Sequence, residues 1–357
     1  MPKRFTFRTD AAATIGFGHL RRCLALAEAV AVRGHDTCFL LSDLSEKAAC
    51  DLVSGAGFSI LRIDGAGRLP EEIEALEAAA QTSDVVIADL AHAHALAQRD
   101  HLSSYFRRLR RQARHLVVIE GLGGESLADD CDGIADLLVT PYACPPEGTT
   151  QTRRTRHLTG ASYAILDRRY AEVDDRAAAP EGRKVLVTTG GADPAAVAAQ
   201  ALRACSLLRP IDLQVEVVIG PFFAQPLRHE VRLLAERSPH EVTLIEAPQD
   251  LLAQMLWCDL AISATGLTKY ELAATGTPAI LLSHDRAHAE NNLAFAELGA
   301  AVDLGEIALL SDITIAETVR ALLQDAARRA RMSSCGRRAV DGRGAFRIVA
   351  VIEDLSL

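Results

Sequence analysis

Short β-branched and aliphatic runs alternate with longer Ala/Leu/Glu/Arg segments along almost the whole chain. That alternation is the βαβα signature of a parallel sheet flanked by helices. In the first half it predicts strands at 4–8, 37–41, 59–63, 84–89, 116–119 and 137–140. Leu20, Leu24, Ala27 and Ala31 recur at helical spacing, and Arg33-Gly34 supplies a C-terminal stop. A further helix is expected over 69–81, because Pro70-Glu71-Glu72 puts proline and acids in a first turn. The pattern breaks in the polar, Ala/Pro/Gly-containing stretch 174–182 and restarts with a strand at 184–189. Strands at 213–219, 242–246, 260–263, 279–282 and 301–304 follow.

The chain is therefore expected to be α/β throughout. Residues 1–172 would form an N-terminal Rossmann-like domain, 173–183 a linker and 184–357 a C-terminal Rossmann-like, nucleotide-binding domain. The last helix is a candidate to pack back on the first domain. Two such domains leave a cleft between the carboxyl ends of their strands, where open α/β sheets bind ligands. The 357 residues suffice for two cores, and 49% apolar against 24% charged residues excludes a disordered chain. With 38 basic and 47 acidic residues the net charge is −9, which argues against a nucleic-acid partner. A phosphorylated small molecule stays admissible if it is bound locally. The opening residues lack a secretory h-region and no apolar run is long enough to span a bilayer, so a cytoplasmic protein without stable membrane insertion is expected. The eight cysteines show no Cys-x-x-Cys spacing and are read as reduced thiols.

The strongest local signal runs from Thr9 to Arg22 and joins the first strand to the first helix. Gly16 and Gly18 permit a tight turn and close approach of the backbone to a ligand. His19 falls at the helix N-terminus, whose partial positive charge disfavours imidazolium and keeps the ring able to accept a proton. A glycine-rich βα turn with a surface histidine is the plain alternative. A dinucleotide fingerprint would need glycine where Arg21 stands, so an NAD site rests only on Asp43 as the ribose acid.

The second signal is Ser263 to Pro278: strand, small-residue loop, short helix, Gly276 and Pro278. Free N–H groups of Thr265, Gly266, Leu267 and Thr268 can hold a diphosphate, and Glu271 is placed to accept ribose hydroxyls. A polar cluster from Ser283 to Asn292 opens the following helix. There His284 and His288 have i,i+4 spacing but lack a third metal ligand. The third signal, Thr188 to Pro194, would bring the amides of Gly190 and Gly191 to the cleft, with Asp193 and Pro194 as ordinary N-cap and N1 residues. Asp89 and His92 end a strand and are candidates to touch substrate, and His92 with His94 forms a His-x-His pair. The basic runs around Arg107–Arg111 and 153–156 read as solvated faces.

Taken together, the segments 8–35, 158–170, 185–194, 259–282 with Asn291-Asn292, and 341–347 resemble the UDP-sugar hydrolases of pseudaminic acid synthesis (the PseG family). These are relatives of the MurG glycosyltransferase and have the two-domain GT-B fold. Their Gly-x-Gly-His-x-x-Arg element matches Gly16, Gly18, His19 and Arg22. The resemblance implies a metal-independent enzyme with no cofactor, acting on a UDP-amino-sugar in nonulosonic (pseudaminic) acid and surface-glycan synthesis. In it His19 is the general base that activates water at the anomeric carbon. Asp10 is expected to orient His19, on its proximity in sequence alone. Thr265, Gly266, Leu267 and Thr268 would stabilise the departing β-phosphate, and Glu271 would hold ribose. Ile245, Asn291, Asn292, Gly190, Gly191, Arg22 and Asp89 would complete the nucleotide and substrate contacts.

The chain departs from that family at Glu120, Tyr142 and Asp167, all toward the sugar side. Two other functions therefore stay open. A GT-B glycosyltransferase would use the same histidine on an acceptor hydroxyl. A subunit that binds a nucleotide sugar without catalysis is the third reading.

Overall fold

The computed structural model describes residues 2–12, 15–64, 68–72, 83–121, 126–143, 148–150 and 154–355. The chain divides into two compact units, Met1–Arg168 with Gly342–Leu357, and Arg169–Asp341.

In the first unit the β-branched runs form β1 (Arg4–Thr9), β2 (Asp36–Ser42), β3 (Ser59–Ile63), β4 (Ser83–Asp89), β5 (Ala113–Ile119) and β6 (Leu137–Thr140). Two short strands not expected from the pattern follow, β7 (Gly148–Thr150) and β8 (Arg156–Thr159). The order is β3-β2-β1-β4-β5-β6-β8-β7, parallel except for the antiparallel β7–β8 pair. β8 carries Arg156 and His157 and no long apolar run, so its pairing with β6 and β7 makes it a strand.

Alternation along each strand feeds two cores, as a sheet covered on both faces requires. Phe5, Phe7, Phe39, Val85, Ile87, Val117 and Ile119 pack with Leu20, Leu26 and Val30 of the helix Gly18–Val32 and with Ile348 and Ile352 of the helix Gly344–Leu355. On the opposite face Leu40, Val86, Ala88, Leu116 and Val118 meet Leu102, Phe106 and Leu109 of the helix Arg99–Arg111. The terminal helix thus belongs to the first unit. Of the helix expected over 69–81, its first turn, 69–72, is helical and 73–81 lie outside the described residues.

The second unit contains β9 (Lys184–Thr188), β10 (Gln214–Ile219), β11 (Glu241–Glu246), β12 (Leu260–Ser263), β13 (Ala279–Ser283) and β14 (Ala301–Glu306). They form one parallel sheet ordered β11-β10-β9-β12-β13-β14. Residues 173–183, expected as a linker, have no helix or strand and are held on this unit. Arg176 donates to the carbonyls of Met255 and Cys258, and Arg337 Nη2 to that of Val173 at 2.7 Å.

Both sheets reverse their order once, between β1 and β4 and between β9 and β12. Crossovers leave in opposite directions there, so the loops at the carboxyl ends of those strands part and open a ligand position. Among the described residues no helix is long and apolar enough to cross a membrane. The seven described cysteines are free, and five of them are buried.

The seat of the terminal helix is testable. A Cβ at Gly344 would lie 2.2 Å from the Ala164 carbonyl oxygen, inside van der Waals contact with backbone. Gly344→Ala should therefore cost about 1–3 kcal/mol of stability in urea denaturation. Gly55→Ala, whose new methyl would meet nothing within 4 Å, should leave the curve unchanged.

Candidate functional site

In the first unit the parallel register sets Thr9 opposite Asp89, so the end of β4 lies beside the loop that leads from β1 into the Gly18–Val32 helix. That helix lays His19 and Arg22, one turn apart, over the Asp89 carboxylate. His19 Nδ1 lies 2.7 Å from Asp89 Oδ1, Arg22 Nη2 lies 2.5 Å from the same oxygen, and Arg22 Nε donates to Oδ2. Arg22 also donates to the Tyr142 hydroxyl and stacks over that ring at 5.7 Å.

Asp89 is fully buried. Burial by itself would raise its pKa, but the charges of Arg22 and His19 and their hydrogen bonds outweigh that and hold it well below the carboxylate range. Arg22 Nη2 stands 3.1 Å from the same nitrogen, but the shorter contact is to a carboxylate, which only accepts, so the proton on His19 Nδ1 goes to Asp89. In the neutral ring Nε2 is then the acceptor, the arrangement of an oriented general base. His19 itself is half-buried.

Two expectations change here. Asp10 does not orient His19: its carboxylate takes Arg8 Nη1 at 2.6 Å, the Ser42 amide at 2.8 Å and the hydroxyls of Ser42 and Ser45. Asp89 does not face a substrate, because it is buried under His19 and Arg22 and positions them. Arg22 is buried too and acts through Asp89 and Tyr142. His92 lies beneath, edge-on to His19 at 5.7 Å. Burial, then the neighbouring His19 charge, pulls it down to about 4 despite the opposing carboxylates, which keeps it neutral. The His94 side chain lies outside the described residues, as do Ala13, Thr14, Gly123, Gly124, Cys144 and Arg153.

Gly16 has φ +84°, a conformation that favours glycine, and its amide bonds to the Ala12 carbonyl at 2.8 Å; Gly18 opens the helix. Glu120 is built into the scaffold: it accepts from the Ser126 hydroxyl, the Leu127 amide and the Thr140 hydroxyl. Asp167 is half-buried.

In the second unit the loops after β9 and β12 leave adjacent central strands at the carboxyl end of the sheet. Gly190 (φ +86°) and Gly266 (φ +130°) give these loops backbone turns that other residues rarely adopt. Gly220, not singled out in the sequence, closes against the first loop. A Cβ there would come within 2.4 Å of the carbonyl oxygens of both Gly190 and Gly191. Thr265, Gly266, Leu267 and Thr268 are half-exposed at the start of the helix Thr268–Ala274, and Glu271 in its first turn is half-buried. Ile245 lies on β11, two strands away from β9.

Asn292 is a correction. It is fully buried, accepts from Lys269 Nζ at 3.0 Å and donates to Ser283 Oγ at 2.9 Å, so its side chain is committed to the protein interior. Asn291 is half-buried and lends its carbonyl to the same ammonium at 3.2 Å. Asp193 caps a helix, donating nothing and accepting from the Val197 and Ala198 amides, but the helix begins at Val197, so Pro194 is not its first residue. The His284 and His288 rings meet edge to face at 5.4 Å, and no group of three or more metal-ligating side chains occurs among the described residues.

Two parallel-sheet α/β units of this topology define the GT-B fold, and the comparisons with solved structures bear this out. The crystal structure of Acinetobacter baumannii MurG superposes with a TM-score of 0.71 at 15% identity, over 99% of this chain and all of that one. Spinosyn rhamnosyltransferase SpnG (TM-score 0.64, 16% identity, 99% and 100% covered) and the Staphylococcus aureus MnaA–UDP co-structure (0.66, 13%, 98% and 96%) have the same fold. By sequence the chain is homologous to the spore coat polysaccharide biosynthesis protein SpsG of Bacillus subtilis, 32% identical over 203 residues, 56% of this chain and 59% of that protein. It spans just over half the length of the curated relatives it matches. No family model matches.

The Asp89 cluster makes a prediction about acid. A carboxyl held down in the folded state and near 3.9 when unfolded stabilises the fold above about pH 4, and that contribution is lost as pH falls below it. Asp89→Asn should cost about 3–5 kcal/mol at neutral pH, because Arg22 is left buried without its counter-charge. Its stability should also fall less steeply below about pH 4 than that of the wild type. Chemical denaturation at a series of pH values checks both.

Proposed function

We propose that this chain is a nucleotide-sugar enzyme of surface-polysaccharide synthesis. In this reading His19 removes the proton from the oxygen that attacks the anomeric carbon of a UDP-sugar. The observation that carries it is the His19–Asp89 pair, a partly exposed imidazole oriented through Nδ1 by a buried carboxylate. The loops around Gly190-Gly191 and Thr265 to Thr268 supply amides for the diphosphate, and Glu271 accepts from ribose. Support for the nucleotide comes from the fold shared with the UDP-bound MnaA structure, and for the pathway from the name of SpsG.

Water is the first choice of attacking oxygen, by resemblance of the Gly16–Arg22 element to the pseudaminic acid UDP-sugar hydrolases. UDP leaves as the C–O bond breaks, the hydroxyl of water joins the anomeric carbon, and its proton passes to His19 Nε2. An acceptor hydroxyl is the second choice, favoured by the glycosyltransferase fold of SpnG and by the homology to a spore-coat polysaccharide protein. His19 serves either oxygen. Tyr142, held by Arg22 beside this histidine, stands where the resembled hydrolases differ, which weighs toward a different sugar or acceptor.

Incubation with a panel of UDP-amino-sugars in heavy-oxygen water, without added metal, decides between them. Hydrolysis puts the label in the sugar. Release of UDP only on adding an acceptor identifies transfer, and label in phosphate would overturn the role given to His19. His19→Ala should slow turnover by a factor of about 100 or more while UDP affinity, measured by calorimetry, is unchanged.

A further inference from the structure

Lys269 stands one residue past the Thr265–Thr268 loop, yet its side chain is fully buried. Its ammonium donates to the Asn291 carbonyl at 3.2 Å and to Asn292 Oδ1 at 3.0 Å, both on the helix Arg286–Ala296. Asn292 passes the connection on to Ser283 Oγ at the carboxyl end of β13. The rings of Tyr270 and Phe295 lie 5.7 and 5.3 Å from the same nitrogen. A fully buried lysine costs free energy unless its partners compensate, and the mechanism proposed above makes no use of this one.

We propose that Lys269 is a positioning residue for the nucleotide site: its ammonium locks the loop after β12 to the segment after β13, and so fixes the loop amides in the spacing a diphosphate requires. The inference rests on the reading that this loop holds UDP. The ammonium does not touch the ligand. It acts through the helix in whose first turn it sits and through the Asn291-Asn292 pair it grips.

The groups facing the ammonium are few. On β14 Asp303 favours its charge, and its own carboxyl is pushed up by burial. The Arg286–Ala296 helix offers the Asn291 carbonyl, the Asn292 side-chain oxygen and the Phe295 ring, and the Thr268–Ala274 helix the Tyr270 ring. The helix Ala326–Ala339, packed on the same helix, directs Arg337 to the Ala274 carbonyl at the opposite end. Burial outweighs the Asp303 charge and brings Lys269 down to about 7. The lock therefore loosens as pH rises through that value, because the neutral amine is a weaker donor.

UDP affinity measured by calorimetry from about pH 6 to 9 tests this, with circular dichroism at each pH to confirm folding. The wild type should weaken as pH rises through about 7 to 8. Lys269→Met should bind roughly tenfold more weakly at the acid end and keep only the pH dependence that ionisation of UDP itself gives every variant. Asn292→Asp, which keeps the size and adds a charge beside the ammonium, should move the decline to higher pH. An unchanged profile and affinity in Lys269→Met, or an unmoved midpoint in Asn292→Asp, overturns the proposal. A wild type that fails to bind UDP at every pH overturns the functional reading instead.

Discussion

A carboxylate with no access to water has to be neutralised where it stands, and at the end of β4 that requirement organises the first unit's site. Asp89 takes Arg22 on one side and shares its other oxygen between Arg22 and His19. The demand of one buried charge therefore fixes the pitch of the first helix over β1 and β4, the rotamer of the arginine, and the protonated nitrogen of the imidazole. Tyr142 joins through Arg22, which ties the loop after β6 to the same point. A charge of this kind adds little stability compared with an apolar substitute, but it tolerates very few geometries. That intolerance is useful where a ring must be aimed.

The same physics explains why Asp10 is not the histidine's partner. Phe5 and Phe7 of β1 face the core shared with the Gly18–Val32 helix, while Arg8 turns to the other side. There it meets Tyr105 and Glu72, in a second buried network. Asp10 lies two residues on from Arg8 and pairs with it. Its bonds to Arg8, Ser42 and Ser45 commit the Asp10 carboxylate there, however near it is to His19 in the chain.

The second unit is built differently at the ends of its central strands. Its two glycine loops leave adjacent parallel strands, so they come together at the carboxyl end of the sheet. The cation nearest that loop in sequence, Lys269, is inside, and the asparagine expected to touch the ligand is instead its partner. Short polar motifs read from sequence mix residues that face a ligand with residues that hold those residues still. Side-chain direction separates the two, and burial decides direction.

Much of the architecture was legible because it follows from local rules. Apolar runs of strand length, helical spacing in Leu20, Leu24, Ala27 and Ala31, and glycines at loop turns determined two α/β sheets and marked both switch-point loops. β7 and β8 were not legible, since β8 becomes a strand by pairing with β6 and not by its own apolar residues. Gly220 carried no local signal either, because what excludes a side chain there is the backbone of Gly190 and Gly191, thirty residues away. Sequence alone determined that a histidine opens the first helix and that glycine loops end β9 and β12. Only the tertiary structure decided that Asp89, seventy residues on, is what orients His19. Chain neighbours are set by covalent order, but the partner of a buried charge is set by strand register and by which face of the sheet each side chain enters.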